Sequence, residues 1–150
     1  RFLMKITMGY PTEDEELEIL KRHEQKENLT QLADIQPILT KEELLQLRSY
    51  MQHVVVDESL LRYITQIIQQ TRSTRAVFLG ASPRASVAML QASKAFALLQ
   101  GRDFVTPEDV KTVTPSILQH RLVLTAEAEM EGYTAYKVAQ RLIDKVEVPK

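Results

Sequence analysis

The sequence lacks several of the features that most directly reveal a protein's function. It contains no cysteine among its 150 residues, which excludes a disulfide scaffold, thiolate catalysis and cysteine-ligated zinc. No apolar run approaches the roughly 18 residues of a membrane span, and the chain shows no signal-peptide pattern. From these absences we expect a soluble, cytoplasmic protein with no membrane span.

Charge is also uninformative about partners. The chain has 19 Lys and Arg residues against 20 Asp and Glu residues, a formal net charge of −1. A nucleic-acid-binding surface or a polybasic membrane surface normally needs an excess of positive charge. The sequence therefore predicts no nucleic-acid partner.

Motifs for self-contained catalysis are missing. The four glycines stand alone, and the chain contains no Gly-rich phosphate loop followed by Lys-Ser or Lys-Thr, no His-Glu-x-x-His and no Gly-x-Ser-x-Gly. His23, His53 and His120 are far apart and have no carboxylates at metal-ligand spacing, so each is better interpreted as a surface or core histidine than as a ligand or base. We expect no metal site and no catalysis by this chain alone.

Helix signals dominate the rest of the chain. Thr12 with Glu15 and Thr40 with Glu43 have capping-box spacing, so we expect helices from Thr12 to about Gln25 and from Thr40 to about Gln52. Three further helix starts carry an N-cap residue or an N1 proline, and a fourth follows a threonine. These helices are expected to begin near Asp57, Pro83, Thr106 and Thr134.

Three segments are predicted to be non-helical. Residues 2–9 are mostly apolar and extended in character, as in a buried strand whose partner strands are missing. Residues 102–105 could pair with residues 54–56 as a short two-stranded ribbon. Residues 127–132 are interpreted as a polar loop. The predicted fold class is therefore mainly all-α.

The segment Phe-Leu-Gly-Ala-Ser-Pro-Arg-Ala, residues 78–85, carries the strongest local signal. Ser82 suits an N-cap position and Pro83 suits the first helical position, so Arg84 is predicted to lie in the first turn of a helix. A helix N-terminus favours an anion, and a guanidinium supplies a planar fork of donors that matches phosphate oxygens. On local chemistry alone, the alternative is a surface arginine paired with a nearby carboxylate.

Several strings together resemble one family. These are residues 1–6 with Gly-Tyr-Pro at 9–11, Thr-Arg at 71–72, Leu-Gly-Ala-Ser-Pro-Arg-Ala at 79–85, Gly-Arg-Asp-Phe-Val-Thr-Pro-Glu-Asp-Val at 101–110, and His-Arg-Leu at 120–122. In this order they resemble the C-terminal part of the MoxR-type AAA+ ATPases. The resemblance covers nearly the whole chain. Because the chain begins at Arg1 without an initiator methionine, we expect a piece of a longer protein.

The resemblance implies a fold and a set of roles. Residues 1–11 would be the end of a missing α/β nucleotide-binding domain, and residues 12–150 would be its helical lid. Arg84 would be the sensor-2 arginine of an ATP and Mg²⁺ site, with Ser82 and Pro83 beside it, and Arg1 would be an arginine finger for the neighbouring subunit.

The resemblance also implies an assembly. The full-length protein would be a ring, commonly a hexamer, with chaperone-like remodelling activity, and its partners would include proteins with von Willebrand factor A-type domains. The alternative is a free-standing helical adaptor domain with no nucleotide role. A Gly-x-x-x-x-Gly-Lys-Ser/Thr loop upstream in the parent gene would distinguish the two.

Overall fold

The chain is mainly helical, as the sequence predicts. The structure is a computed structural model, and it describes residues 2–24 and 35–149. Within these residues there are seven α-helices and one two-stranded sheet. The helices are α1 (Glu13–Glu24), α2 (Lys41–Tyr50), α3 (Glu58–Ser73), α4 (Pro83–Leu99), α5 (Pro107–Leu118), α6 (Ala126–Met130) and α7 (Ala135–Lys145), and the strands are β1 (Val77–Leu79) and β2 (Val123–Leu124).

The described residues form two compact units. The first comprises residues 2–6 and 48–149, and the second comprises residues 7–24 and 35–47. The second unit contains α1 and most of α2, and neither helix has a buried residue. All of the buried apolar core therefore lies in the first unit.

Most helix starts are fixed by the capping chemistry expected from the sequence. The carboxylate of Glu15 accepts from the backbone N–H of Thr12 at 2.7 Å, and Glu43 accepts from that of Thr40 at 2.7 Å. Asp57 accepts from the N–H of Ser59 at 2.8 Å and so caps α3. These bonds satisfy backbone groups that a helix end leaves without partners. The expected end of α1 at Gln25 lies outside the described residues.

Helix α4 lies at the centre of the first unit. It packs against α3 on one side and α5 on the other, and α7 packs against α5 and α3. Its buried positions are mostly small, which allows neighbouring helix backbones to approach closely: Ala85, Ala88, Met89, Ala92, Ser93 and Ala97. Gly101, with φ of 73°, follows the helix in the left-handed conformation that ends many helices.

The expected ribbon is reduced to one bridge. Val55 pairs with Phe104 as an isolated parallel bridge, held by the N–H of Val55 to Asp103 C=O at 2.8 Å and the N–H of Val105 to Val55 C=O at 3.0 Å. The two-stranded sheet forms elsewhere, where β1 pairs antiparallel with β2. The contact between residues 54–56 and residues 102–105 was predicted at the correct place, but its length was overestimated. The second pairing was missed because two or three residues carry no readable alternation.

The N-terminal segment is not a strand in the described structure. Residues 2–11 are in no ladder, and the N–H of Lys5 instead donates to the C=O of Ser116 at 2.8 Å. A strand needs a neighbouring strand for its backbone groups, and none of the described strands lies beside this segment. The expectation that this segment is the last strand of an absent α/β domain, whose partner strands are missing, therefore stays a prediction.

Two local expectations also change. Residues 127–132 were expected to be a loop, but α6 covers the first part of this range, capped by Thr125, which accepts from the N–H of Ala128 at 3.3 Å. Pro115 was expected to bend or interrupt α5, but the helix continues through it to Leu118.

Candidate functional site

Arg84 lies in the first turn of α4, as predicted. The helix begins at Pro83, and Ser82 occupies the N-cap position with extended backbone angles of −81° and 165°. The hydroxyl of Ser82 makes no capping hydrogen bond, which corrects the expectation that it would. Ser82, Pro83 and Arg84 are all exposed. The hydroxyl and the guanidinium can therefore both reach a ligand.

The loop before α4 is fastened to the last turn of α3. The N–H of Ala81 donates to the Thr71 hydroxyl at 2.9 Å, and that hydroxyl donates to the C=O of Ile68 at 2.6 Å. The guanidinium Nε of Arg72 donates to the C=O of Ala81 at 3.0 Å. Both backbone groups of Ala81 are thus held by two consecutive side chains of α3, so the start of α4 has a fixed position.

Gly80 lets this loop approach α3 closely. A Cβ at this position would lie 2.8 Å from the C=O oxygen of Thr71 and 2.9 Å from the Cα of Arg72. Real Cβ atoms do not come this close to backbone atoms, so only glycine fits here without movement of the chain. The glycine of the Gly-Ala-Ser-Pro-Arg string is therefore explained by packing.

The guanidinium of Arg84 makes no hydrogen bond or ion pair with any described residue. The ion pairs of this part of the chain join other residues, and the surface pairing that the sequence left open for Arg84 is not formed. Its own backbone N–H also lacks a partner within the described residues, because the N–H groups in the first turn of a helix have no acceptor inside the helix. A free N–H, a free guanidinium and the positive end of a helix dipole fit the oxygens of a phosphate group.

Arg1, the other predicted catalytic residue, lies outside the described residues. The structure therefore places Arg84 beside Ser82 and Pro83 but gives no position for Arg1. In the described residues there is also no group of three or more His, Asp or Glu side chains that could hold a metal ion. Among the same residues, no helix combines the length and the apolar character needed to cross a bilayer.

The Gly-Arg-Asp-Phe-Val-Thr-Pro-Glu-Asp-Val string has a structural role. Arg102 makes a two-pronged ion pair with Asp109, at 2.8 and 2.6 Å, and also donates to the C=O of Phe104 at 3.0 Å. Asp109 also completes a capping box with Thr106 at the start of α5. Burial opposes the ionisation of Asp109, but the hydrogen bonds from Arg102 and Thr106 outweigh it and lower the pKa of this carboxyl.

Sequence reasoning missed the roles of Thr71 and Arg72. The pair was part of the family resemblance, but no role was assigned to either residue. One signal was present: Thr71 continues the buried stripe of Leu60, Ile64 and Ile67 along α3, and a polar residue on such a stripe needs a hydrogen-bond partner. The partner, a loop residue ten positions later, could not be identified without the fold.

A cleft of about 540 Å³ lies in the first unit, lined by residues of α3, α6 and α7 and of the segments that follow α3 and α6, including Arg75, Tyr133 and Arg141. Arg84 does not line it. The exposed guanidinium of Arg84 therefore lies outside this cleft.

Three comparisons with known proteins agree with this fold. The AAA lid domain family matches residues 69–145. The chain is 40% identical over 149 residues to YeaC of Bacillus subtilis, an uncharacterised protein. The alignment covers 99% of this chain and 46% of YeaC. The chain is also 35% identical over 159 residues to the chaperone MoxR1 of Mycobacterium tuberculosis. That alignment covers all of this chain and 41% of MoxR1.

A solved structure gives the same result for the fold. A candidate ATPase from Cytophaga hutchinsonii superposes with a TM-score of 0.84 at 33% sequence identity, over 100% of this chain and 47% of that one. The chain thus spans about half the length of the relatives it matches.

The helical fold and the family match over residues 69–145 define a helical lid. The chain belongs to the AAA lid domain family, of the type found in MoxR AAA+ ATPases.

Proposed function

We propose that this chain is the lid of a ring-forming ATPase and that Arg84 is its sensor-2 residue, which contacts the nucleotide phosphates from the lid of the same subunit. The observation that carries the proposal is the unpaired guanidinium of Arg84 on an anchored helix start. Phosphoryl transfer requires stabilisation of negative charge on the γ-phosphate oxygens, and a positioned guanidinium supplies it.

ATP and Mg²⁺ are the cofactors proposed for the full-length protein. ATP brings the phosphoryl group whose charge Arg84 would stabilise. The Ser82 hydroxyl and the backbone N–H of Arg84 are free to bind the same oxygens, and Pro83 fixes the direction of the helix start. Since the described residues offer no carboxylate cluster for the metal, Mg²⁺ would be held by the nucleotide-binding domain. We expect the 150-residue chain alone to hydrolyse no ATP.

The proposed assembly is supported by the relatives and not by a surface of this chain. MoxR1 is named as a chaperone, and we propose a chaperone-like remodelling ATPase that assembles as a ring, with a hexamer as the expected size. Arg1 is the proposed arginine finger for the neighbouring subunit. Proteins with von Willebrand factor A-type domains are the proposed partners, and the cytoplasm is the proposed location.

Arg84 substitutions in the full-length protein test the sensor role. Arg84→Ala should lower kcat by on the order of 10²-fold or more, because charge developing in the transition state loses a donor. Arg84→Lys should restore only part of the rate, because an ammonium lacks the planar fork. Both variants should keep a Tm within a few degrees of wild type, because an exposed residue in the first helical turn contributes little to stability.

Lys137→Ala is the matched control, because Lys137 is an exposed cation in the first turn of α7. Its kcat should stay at the wild-type value. Wild-type turnover in a folded Arg84→Ala ring would reject the sensor role.

A further inference from the structure

The cleft of about 540 Å³ in the first unit is lined by side chains of both charges. Three exposed cations line it: Arg75, which follows α3, and Arg141 and Lys145, which are one turn apart on α7. Two exposed carboxylates line it from α6 and from the residue after that helix, Glu127 and Glu131. Opposite charges therefore face one cavity from different elements.

These charges are not paired. Within the part of the chain that the structure describes, none of the five side chains forms an ion pair, either with each other or with another residue. Opposite charges that can reach each other on a surface often do pair, although each pair contributes only about 0–1 kcal/mol. The cations and the carboxylates of the cleft are therefore both available to a ligand.

Arg141 is held in place without the use of its hydrogen-bond donors. Its guanidinium carbon lies over the ring of Tyr133, 4.5 Å from the ring centroid, and both side chains line the cleft. The attraction of a cation to an aromatic ring restricts the guanidinium but occupies none of its N–H groups. These N–H groups can therefore bind a carboxylate of a ligand in the two-pronged geometry that arginine favours.

The cleft also has an apolar floor. Ala128, Val138 and Leu142 line it, and all three are buried members of the hydrophobic core. A surface with an apolar centre and a charged rim has the composition of a protein–protein interface. The floor can accept an apolar side chain of a ligand, while the rim binds charged groups on either side of it.

The charges of the rim select the class of ligand. The two carboxylates would repel a polyanion such as a nucleic acid, because like charges brought together at an interface are unfavourable. A small molecule is normally enclosed over 70–90% of its surface, whereas the five charged side chains of this cleft are exposed. A peptide segment that carries both charges and an apolar side chain matches the rim and the floor together.

We propose that this cleft is a docking site for a segment of a partner protein in which an apolar side chain lies between an acidic and a basic residue. The acidic residue binds Arg141 and Lys145, and the basic residue binds Glu127 and Glu131. The inference goes beyond the proposed function and does not depend on it, because Arg84 does not line the cleft.

Selection of random short peptides by phage display on the 150-residue chain tests the site. The enriched sequences should combine an acidic, an apolar and a basic residue. The most enriched sequence, made as a labelled peptide, should bind Arg141→Ala about tenfold more weakly than wild type in fluorescence anisotropy, because it loses a charged partner. Lys137→Ala is the matched control, since Lys137 lies one turn before Arg141 on α7 but does not line the cleft. Its affinity should equal that of the wild type.

Charge reversal of the acidic side gives the decisive outcome. The double variant Glu127→Lys with Glu131→Lys should select peptides in which a second acidic residue replaces the basic one, because the attraction on that side changes sign. Both residues are exposed, so the variant should melt within a few degrees of wild type. Absence of any enriched sequence on the wild-type chain, or selection of the same sequences by the folded double variant, would overturn the proposal.

Two other occupants of the cleft give different results. If the peptide binds the 150-residue chain but not the full-length protein, the remainder of the protein covers the cleft. If the wild-type chain self-associates in sedimentation experiments and Arg141→Ala makes it monomeric, the occupant is a second copy of the chain. Either result would overturn docking of a partner protein. The proposal expects equal binding by both lengths of the protein and no self-association that depends on Arg141.

Discussion

Single residues at the start of α4 explain why the candidate site can be both exposed and well ordered. Arg84 gains its position from residues that never contact the proposed ligand: Thr71 and Arg72 hold Ala81, and Gly80 permits the close approach. A phosphate-binding side chain must be free of internal partners, so its placement depends on the backbone that carries it. We therefore expect substitutions of Thr71, Arg72 or Gly80 to affect the site as strongly as substitutions of Arg84 itself.

Gly80→Ala should destabilise the first unit by about 1–3 kcal/mol, because the new Cβ would overlap backbone atoms of α3 that have little freedom to move. Gly9→Ala is the matched control, since a Cβ there would meet nothing within 4 Å. Urea unfolding of the two variants measures the difference. Equal stability of Gly80→Ala and the wild type would contradict the packing seen around this loop.

Asp109 should give the stability of the chain a specific pH dependence. Its pKa is lower in the folded protein than in the unfolded chain, so its stabilising effect is complete above the unfolded value of about 3.9 and is lost as the pH falls through the folded value. At pH 7, Asp109→Asn should cost about 2–4 kcal/mol, because Arg102 loses its counter-charge.

Unfolding measured from pH 7 to pH 3 checks this dependence. The difference between wild type and Asp109→Asn should shrink as the pH falls below about 4, where the wild-type carboxyl also becomes neutral. A difference that stays constant across this range would show that the carboxylate charge is not the source of the effect.

At the scale of helices and strands, the helix starts could be predicted from the local sequence, whereas the pairing of the strands could not. Capping boxes at Thr12, Thr40 and Thr106 fixed helix starts, because the interacting groups are only three residues apart. Helix α6 was missed because five residues with Glu127 and Glu129 resemble a loop in composition. The pairing of β1 with β2 depends on contacts about 45 residues apart along the chain, which no local pattern encodes.

The two units should differ in protection from hydrogen exchange. Helices α1 and α2 have 12 and 10 residues and bury none, and helices of this length are marginal without packing. Helix α4, with Met89 and Ala85 fully buried, should exchange only on global unfolding. Residue-resolved exchange on the 150-residue chain measures this. Protection of the Leu20 amide equal to that of Met89 would contradict it.

At the scale of the whole molecule, the candidate site is only part of what the proposed function requires. Arg84 lies on an open surface, and the chain carries no phosphate-binding loop. The sequence predicted the family and the position of Arg84, because both depend on short strings. It did not predict that residues 2–5 belong with the helical unit, because that attachment depends on Arg121, far away in the chain.

The most direct test of the account is the distance from Arg84 to the nucleotide. In a crystal or cryo-EM structure of the full-length protein with a non-hydrolysable ATP analogue, the Arg84 guanidinium should lie about 2.7–3.2 Å from a γ-phosphate oxygen in closed subunits. The Thr71 and Arg72 bonds to Ala81 should be retained in that state. If Arg84 faces solvent or a carboxylate in every nucleotide-bound subunit, with the γ-phosphate beyond hydrogen-bond reach, the sensor assignment is wrong.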